Sequence, residues 1–261
     1  MRILYIGSLF FILLSCSSYN EVLKGDDYKS KFNLANELHE NKDYDKCIVL
    51  YEQVYQHAPK SADGEFSYFN MAKSYYLDKD YYMAGYFFGS FIQRYPYSLR
   101  SEESFFLTAM CSVNNSPKWS LDQTETYAAI NAVQAFIDKY PNSPLLDSCN
   151  SILDALSYKL EFKDYNKVLQ YSKTENYKAA VCFAEIFNSK YPLSIHDEEV
   201  QYLAIYNGYY LASNSIESKK KERVEETITR YRNFVSEYPT SEYLNLLRAT
   251  LKPWQEEYEF N

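Results

Sequence analysis

A short phrase containing proline recurs along the chain and constrains the fold more than any other feature. Its five copies place proline at positions 59, 96, 141, 192 and 239, with separations of 37, 45, 51 and 47 residues. Proline stops a helix, and the serine two residues later can cap the next one. Each phrase therefore predicts a helix end, a turn and a helix start. The copies are His57-Ala-Pro-Lys-Ser61, Tyr95-Pro-Tyr-Ser98, Tyr140-Pro-Asn-Ser143, Tyr191-Pro-Leu-Ser194 and Tyr238-Pro-Thr-Ser241.

The units between these phrases resemble the tetratricopeptide repeat, a pair of antiparallel helices that pack through small residues. The second unit matches best, because Ala72 and Ala84 stand where the two helices must approach closely. Five such units over 28–241 predict an all-α fold, a right-handed tetratricopeptide-repeat solenoid of about five helix pairs. Terminal repeats need a cap, and we expect an amphipathic helix from about Glu242 to Tyr258 to supply it.

The composition argues against several classes of function. Only 6 of the 261 residues are glycine, which disfavours glycine-rich phosphate loops, and the net charge of −8 disfavours binding to nucleic acid. Three histidines leave little material for a metal site or a histidine-based triad. No hydrolase, zincin, Walker or dinucleotide motif is present. We therefore expect no catalysis, no cofactor, no metal and no nucleic-acid partner.

The N-terminus has the layout of a processing signal. One arginine precedes a mostly apolar run from Ile3 to Leu14, which is too short to span a membrane. Leu13-Leu14-Ser15-Cys16 resembles a bacterial lipobox, in which residues 1–15 are removed and the cysteine is lipidated. The alternative is an ordinary signal peptide with an incidental cysteine. The lipobox implies that Cys16 carries the anchor, that Ser17 directs it to the outer membrane, and that 16–27 is a tether.

Four other sequence patterns could mark functional sites, but each also has a purely structural explanation. The cysteines at 47, 111, 149 and 182 are predicted to be small buried hydrophobes, with a disulfide left open. The acidic residues of His196-Asp-Glu-Glu199 are predicted to favour a helix start. Gly85-Tyr-Phe-Phe-Gly89 is predicted to allow close packing of soluble helices. The basic cluster, predicted to be a solvated loop or a contact with a partner or lipid headgroups, is Lys219, Lys220, Lys221 and Arg223.

The excess of aromatic residues suggests a binding groove. On tetratricopeptide geometry, fixed positions of each first helix line the concave face, and in the first three repeats many of them are aromatic or apolar. Exposed apolar patches usually mark partner sites, although long neighbouring repeats could bury some of these residues instead. The predicted substrate groove consists of Phe32, Phe66, Phe69, Lys73, Tyr76, Phe106 and Met110.

A lipobox followed by five such repeats resembles the BamD family of outer-membrane assembly lipoproteins. The resemblance covers nearly the whole mature chain and is strongest in the Tyr-Pro-x-Ser ends and in the stretch from Leu211 to Arg223. It implies that repeats 1–3 (28–143) capture C-terminal segments of unfolded outer-membrane proteins. It also implies that repeats 4–5 and the cap (144–261) dock on a BamA-type barrel protein beside other assembly lipoproteins, on the periplasmic face of the outer membrane.

Two other functional classes share the fold and the anchor. One is a general periplasmic repeat scaffold, for example in cell-wall or polysaccharide assembly. The other is a glycan-binding lipoprotein of the SusD type, although those chains are about twice as long and carry a large part without repeats. The partner that co-purifies after mild detergent extraction would discriminate among the three.

Overall fold

The computed structural model describes residues 18–258, which hold twelve helices and no strand. The predicted all-α fold of paired helices with a terminal cap is confirmed. Five pairs run from α2/α3 to α10/α11, and α12 follows them. The helices are α1 (18–24), α2 (Tyr28–Glu40), α3 (Tyr44–His57), α4 (Ala62–Leu77), α5 (Tyr81–Arg94), α6 (Ser101–Asn115), α7 (Thr124–Lys139), α8 (Leu146–Lys173), α9 (Tyr177–Lys190), α10 (Asp197–Ser213), α11 (Glu217–Glu237) and α12 (Tyr243–Tyr258).

The described residues form two compact units, 18–153 (unit 1) and 154–258 (unit 2). The division lies inside α8, whereas the sequence analysis placed a boundary before it, at 143/144. In unit 1 each helix from α2 to α6 packs against the next; in unit 2, α10 packs against α9, α11 and α12. None of the helices in the described range is long and apolar enough to cross a membrane.

Part of the segment predicted as a tether is helical. Residues 18–24 form α1, and its Tyr19 and Leu23 pack against the core of the first two repeats. The Nζ atom of Lys31, a buried lysine of α2, donates to the carbonyl of Leu23 at 2.9 Å and to Gln53 at 2.6 Å. These bonds satisfy the buried ammonium group and hold α1 against the first repeat.

Three of the helix pairs are joined by the same tight turn. Lys42, Lys79 and Glu175 have φ angles of 62°, 68° and 55°, in the left-handed region. In each turn the next residue donates its N–H to a carbonyl five residues back, as Asp80 does to Tyr75 at 2.9 Å. This is the Schellman ending, in which glycine usually takes the left-handed position. Here lysine or glutamate takes it, at a cost in backbone strain.

Lys79→Gly is therefore expected to stabilise the protein by about 1 kcal/mol, since glycine adopts a positive φ without strain. Lys79→Ala should give no such gain, because alanine keeps the Cβ atom that causes the strain. Urea unfolding followed by circular dichroism measures both free energies of unfolding. Equal effects from the two substitutions would contradict this explanation.

The serines of the proline phrases act in two different ways. In four phrases the serine Oγ accepts the N–H of the residue two positions on, as from Arg100 to Ser98 at 3.1 Å and from His196 to Ser194 at 2.9 Å. These serines fold the turn that precedes the helix, so the prediction that they cap the helix is wrong. Only Ser61 is the N-cap itself, accepting from the N–H of Gly64 at 3.0 Å.

Three of the four phrase tyrosines donate a hydroxyl hydrogen bond to an earlier part of the chain. The hydroxyl of Tyr191 donates to Asp164 at 3.0 Å, and that of Tyr238 donates to Asp197 at 2.5 Å. Tyr95 donates in the same way to the carbonyl of Pro59. Tyr191 and Tyr238 thus tie the end of a helix pair to the first helix of the same pair, whereas Tyr95 ties the end of its pair to the turn before that pair.

The small residues lie where the helices approach each other. Ala72 and Ala84 are fully buried, in agreement with their predicted role. A Cβ atom at Gly85 would lie 3.3 Å from the Cβ of Cys111, so this glycine lets α5 approach α6. Gly89 has nothing within 4 Å, so the predicted close packing holds for Gly85 alone.

The four described cysteines are free thiols. Cys47, Cys111 and Cys149 are buried as predicted, whereas Cys182 is exposed on α9, so the prediction is wrong for that residue. Burial raises the pKa of Cys47 to about 11 and that of Cys111 to about 12. Their thiolate forms are therefore scarce at neutral pH, and the thiolate is the reactive species.

We expect maleimide to label Cys182 rapidly in the folded protein, and the three buried cysteines only after unfolding. Mass spectrometry of native and urea-treated samples counts the labels. Rapid labelling of Cys47 or Cys111 in the folded protein would contradict the burial described above. The Cys182→Ser variant is the control, because its folded form should take up no label rapidly.

Candidate binding surfaces

The structure divides the predicted substrate groove into core and surface residues. Phe69 is only 4% exposed and Met110 only 8%, so these two do not line an open groove. Phe69 packs edge-on against Phe88 and Phe91, with ring centroids 5.8 and 5.6 Å away. Met110 joins a core cluster with Phe136. For both residues the alternative of burial by neighbouring helices is correct.

The other predicted aromatic residues are half-buried, with part of each ring open to solvent. Phe32 of α2 and Phe66 of α4 meet edge to face, with ring centroids 5.4 Å apart. Tyr76 packs in the same way on Tyr81, also at 5.4 Å. Together with Phe106 of α6, these residues form what we call the aromatic surface of unit 1: Phe32, Phe66, Tyr76 and Phe106.

Basic side chains lie over the aromatic surface. Lys29 Nζ is 4.9 Å from the centre of the Phe32 ring, and the Arg100 guanidinium is 5.3 Å from that of Phe66. A cation over a ring face is attracted by the quadrupole of the ring. Lys73, the predicted basic residue of the groove, lies 5.7 Å from the ring of the buried Phe69.

Each of these cations is also paired with a carboxylate on a neighbouring helix. Lys29 pairs with Asp63 at 3.3 Å, Lys73 with Glu103 at 3.3 Å, and Arg100 with Glu65 at 3.6 Å. Pairs as exposed as these contribute about 0–1 kcal/mol each. An incoming carboxylate could therefore exchange with the resident one at little cost.

The predicted basic cluster is helical rather than a loop. Lys219, Lys220 and Lys221 lie in the first two turns of α11, where positive charge opposes the helix dipole. Lys219 and Lys221 are exposed, whereas Arg223 is half-buried and donates to Ser215. The lysines thus remain available to an acidic partner.

The acidic start of α10 has the structural role that the sequence predicted, and it makes two bonds that the sequence did not reveal. Asp197, Glu198 and Glu199 occupy the first turn. Asp197 is buried and accepts from Tyr238, while Glu199 accepts from the hydroxyl of Tyr165 at 2.5 Å. The ring of His196 stacks on that of Tyr165, with centroids 4.0 Å apart.

A row of tyrosines in unit 2 was not predicted from the sequence. Tyr202, Tyr206 and Tyr210 recur every four residues on α10, and Tyr177 of α9 and Tyr243 of α12 extend the row at its two ends. We call these five residues the tyrosine ladder. Their spacing of four residues places these tyrosines on one face of a helix, and this spacing could have revealed the row. In a chain with 29 tyrosines, however, it did not stand out.

The predicted signal peptide (1–15) and the predicted lipidation site, Cys16, lie outside the described residues. The described chain begins with Ser18 in α1, which packs against the first repeat.

Comparison with known proteins identifies a family. A family model described as YfiO, outer membrane lipoprotein, matches residues 26–182, which is more than half of the chain. No curated protein matches the chain significantly. Among solved structures, a Podospora anserina kinesin light chain with nearly identical TPR-like repeats is 12% identical, with a TM-score of 0.33. The match covers 82% of this chain and 96% of that one.

Proposed function

The chain belongs to the YfiO (BamD) family of outer membrane lipoproteins, and from that premise we propose that it is a scaffold of the β-barrel assembly machinery. Anchored by lipid at Cys16 and facing the periplasm, it captures C-terminal segments of unfolded outer-membrane proteins with unit 1. It docks on a BamA-type barrel protein, beside other assembly lipoproteins, with unit 2. Its work is capture and positioning, without catalysis.

The observation that supports capture is the aromatic surface of unit 1 with its row of cations. A terminal strand of a barrel protein alternates apolar and polar side chains, so its apolar side chains recur about every 7 Å along one face. Phe32 and Phe66 offer adjoining rings for such side chains. Lys29, with a side chain 65% exposed, is suited to the carboxylate at the end of the segment.

The test is the Phe32→Ala/Phe66→Ala variant, measured against a fluorescent peptide copied from a barrel protein's terminal strand. Each half-buried ring should contribute about 1 kcal/mol, so the affinity should fall about tenfold or more. Phe69 is unsuitable for this test, since its truncation would open the core. The matched control is Tyr82→Ala/Tyr86→Ala, which removes two rings exposed by 67% on another helix.

Circular dichroism establishes that each variant is folded before its affinity is compared. Unchanged affinity of the folded Phe32/Phe66 variant would place capture elsewhere. An equal loss in the Tyr82/Tyr86 control would show that aromatic content, rather than this surface, binds the peptide.

Lipidation of Cys16 is tested by counting the cysteines that react with maleimide, because a lipidated cysteine has no free thiol. In protein extracted from membranes and then unfolded, maleimide should label the cysteines at 47, 111, 149 and 182, and labelled palmitate should be incorporated. Incorporation should cease in Cys16→Ser. A fifth reactive thiol in the extracted protein, or palmitate in Cys16→Ser, would contradict the anchor.

A further inference from the structure

The tyrosine ladder of unit 2 is a continuous row of half-buried phenol rings. Tyr243 stacks on Tyr202 with centroids 4.4 Å apart, and Tyr202 is 6.0 Å from Tyr206. Tyr206 lies 5.0 Å from Tyr210, which stacks on Tyr177 at 5.3 Å. The five rings thus connect the start of α12 with the start of α9 along α10.

The ladder occupies the face of α10 that corresponds to the predicted binding face of α6. Ser98 and Ser194 hold the same place in their turns, and aligning them pairs Phe106 with Tyr202 and Met110 with Tyr206. On α6 the second of these positions is buried in the core, whereas on α10 it carries a partly exposed phenol. The same face therefore has a different chemistry in each unit.

Carboxylates flank the ladder at both ends. Glu198, Glu199 and Glu242 lie close enough to Tyr243 to help raise its pKa, although burial is the larger cause. Glu175 lies beside Tyr177 at the other end. Among the described residues, none makes an ion pair with Glu175, Glu198 or Glu242.

No Lys or Arg in the described part of the chain lies over a ladder ring, in contrast to the aromatic surface of unit 1 with its Lys29 and Arg100. A hydrogen bond with Tyr210, followed by burial, raises the pKa of Tyr206 to about 12. The Tyr206 phenol therefore stays protonated at neutral pH. The tyrosines of the ladder offer ring faces, as well as hydroxyls that both donate and accept hydrogen bonds.

We propose that the tyrosine ladder is a binding site for an extended peptide segment that carries lysine or arginine. The carboxylates at the ends neutralise the basic groups, and the rings accept them through cation–π contacts. Tyrosine suits this role because it supplies a large, rigid contact area and a polar hydroxyl at low cost in side-chain entropy. The site is separate from the capture surface of unit 1 and does not rest on the function proposed above.

The dimensions of the ladder define the segment it would bind. Tyr202 and Tyr210 are two helical turns apart, about 12 Å along α10. An extended peptide covers that distance in about four residues. Two basic residues four positions apart lie on the same face of an extended chain, so they would reach Glu242 at one end and Glu175 at the other, with an apolar or aromatic residue midway between them on the rings.

The test measures fluorescence anisotropy of a labelled acetyl-Lys-Thr-Tyr-Ser-Lys amide with the full-length protein, beside a matched peptide in which glutamate replaces both lysines. The lysine peptide should bind at least about fivefold more tightly. Tyr206→Ala should weaken its binding about fivefold, in line with the loss of one aromatic contact to the central tyrosine of the peptide, and Tyr206→Phe should retain it. Glu175→Gln/Glu242→Gln should remove most of the preference for lysine.

Two kinds of control test whether the peptide binds at the ladder and whether the ladder prefers a peptide to a glycan. Tyr82→Ala, which removes an exposed ring of unit 1, and Phe32→Ala/Phe66→Ala should bind the lysine peptide as the wild type does. Equal binding of the two peptides, or undiminished preference in the Glu175/Glu242 variant, would overturn the proposal. So would displacement of the peptide by micromolar chitotetraose, which would identify the ladder as a glycan site instead.

Discussion

Replacing Gly64 with alanine is expected to destabilise unit 1 by about 3 kcal/mol or more, the upper range for adding atoms to packed structure. Because Ser61 starts α4 immediately, the first turn of this helix lies directly against the backbone of the preceding turn. A Cβ atom at Gly64 would lie 2.1 Å from the carbonyl oxygen of Ala58. Backbone cannot yield as a flexible side chain can, so the turn itself would have to move.

Gly89→Ala is the matched control, because it adds the same methyl group within α5, where nothing lies within 4 Å. It should stabilise the protein by about 0.5–1 kcal/mol through helix propensity. Thermal and urea unfolding of the two variants should therefore give effects of opposite sign. If Gly64→Ala proved as harmless as Gly89→Ala, the close approach described for this turn would be incorrect.

Deleting residues 242–261 is expected to have the second large effect. The deletion removes α12, whose Leu244, Leu247, Leu251 and Trp254 are buried against α10 and α11. At about 2 kcal/mol for each buried side chain, unit 2 loses on the order of 8 kcal/mol. That is comparable to the whole stability of many domains, so unit 2 should unfold while the helices of unit 1 remain.

Loss of helical signal in the truncated protein measures this effect, and pull-down of a BamA-type partner tests the docking role proposed for unit 2. Leu247→Ala should weaken unit 2, whereas Leu246→Ala, at a residue that is 55% exposed, should not. A folded truncated protein that retained the partner at wild-type yield would exclude this half as the docking surface.

The helix pairs could be predicted from the sequence because their signals are local. Proline at 96 or 192, followed by serine in the recurring phrase, marks a helix end, although Pro253 lies inside α12. The small residues at 72 and 84 require close helices in any tetratricopeptide-like pair. The turns at Lys42 and Lys79 could likewise be located from the sequence, because Asp43 follows the first lysine and Asp78 and Asp80 flank the second. These signals depend on neighbours within a few residues, which the sequence displays directly.

The burial of individual groove residues could not be predicted in this way. Position within a repeat tells which face of the helix carries Phe69, but its exposure depends on Phe88 and Phe91, which come from the following helix. The same holds for Cys182, which shares its helical setting with buried cysteines. The tyrosine ladder was missed because its rings come from three helices, and only the fold brings them together.

The packing of α1 would limit how far a protein anchored by lipid at Cys16 could move. Cys16 precedes Ser18 by two residues, which reach at most about 7 Å when fully extended. Because Tyr19 and Leu23 fix α1 to the first repeat, a lipid on Cys16 would hold α1 and that repeat close to the surface of the bilayer. The protein would then stay in a shallow layer beside the membrane. On the function proposed above, a barrel-protein segment arriving at that layer would meet it at high local concentration.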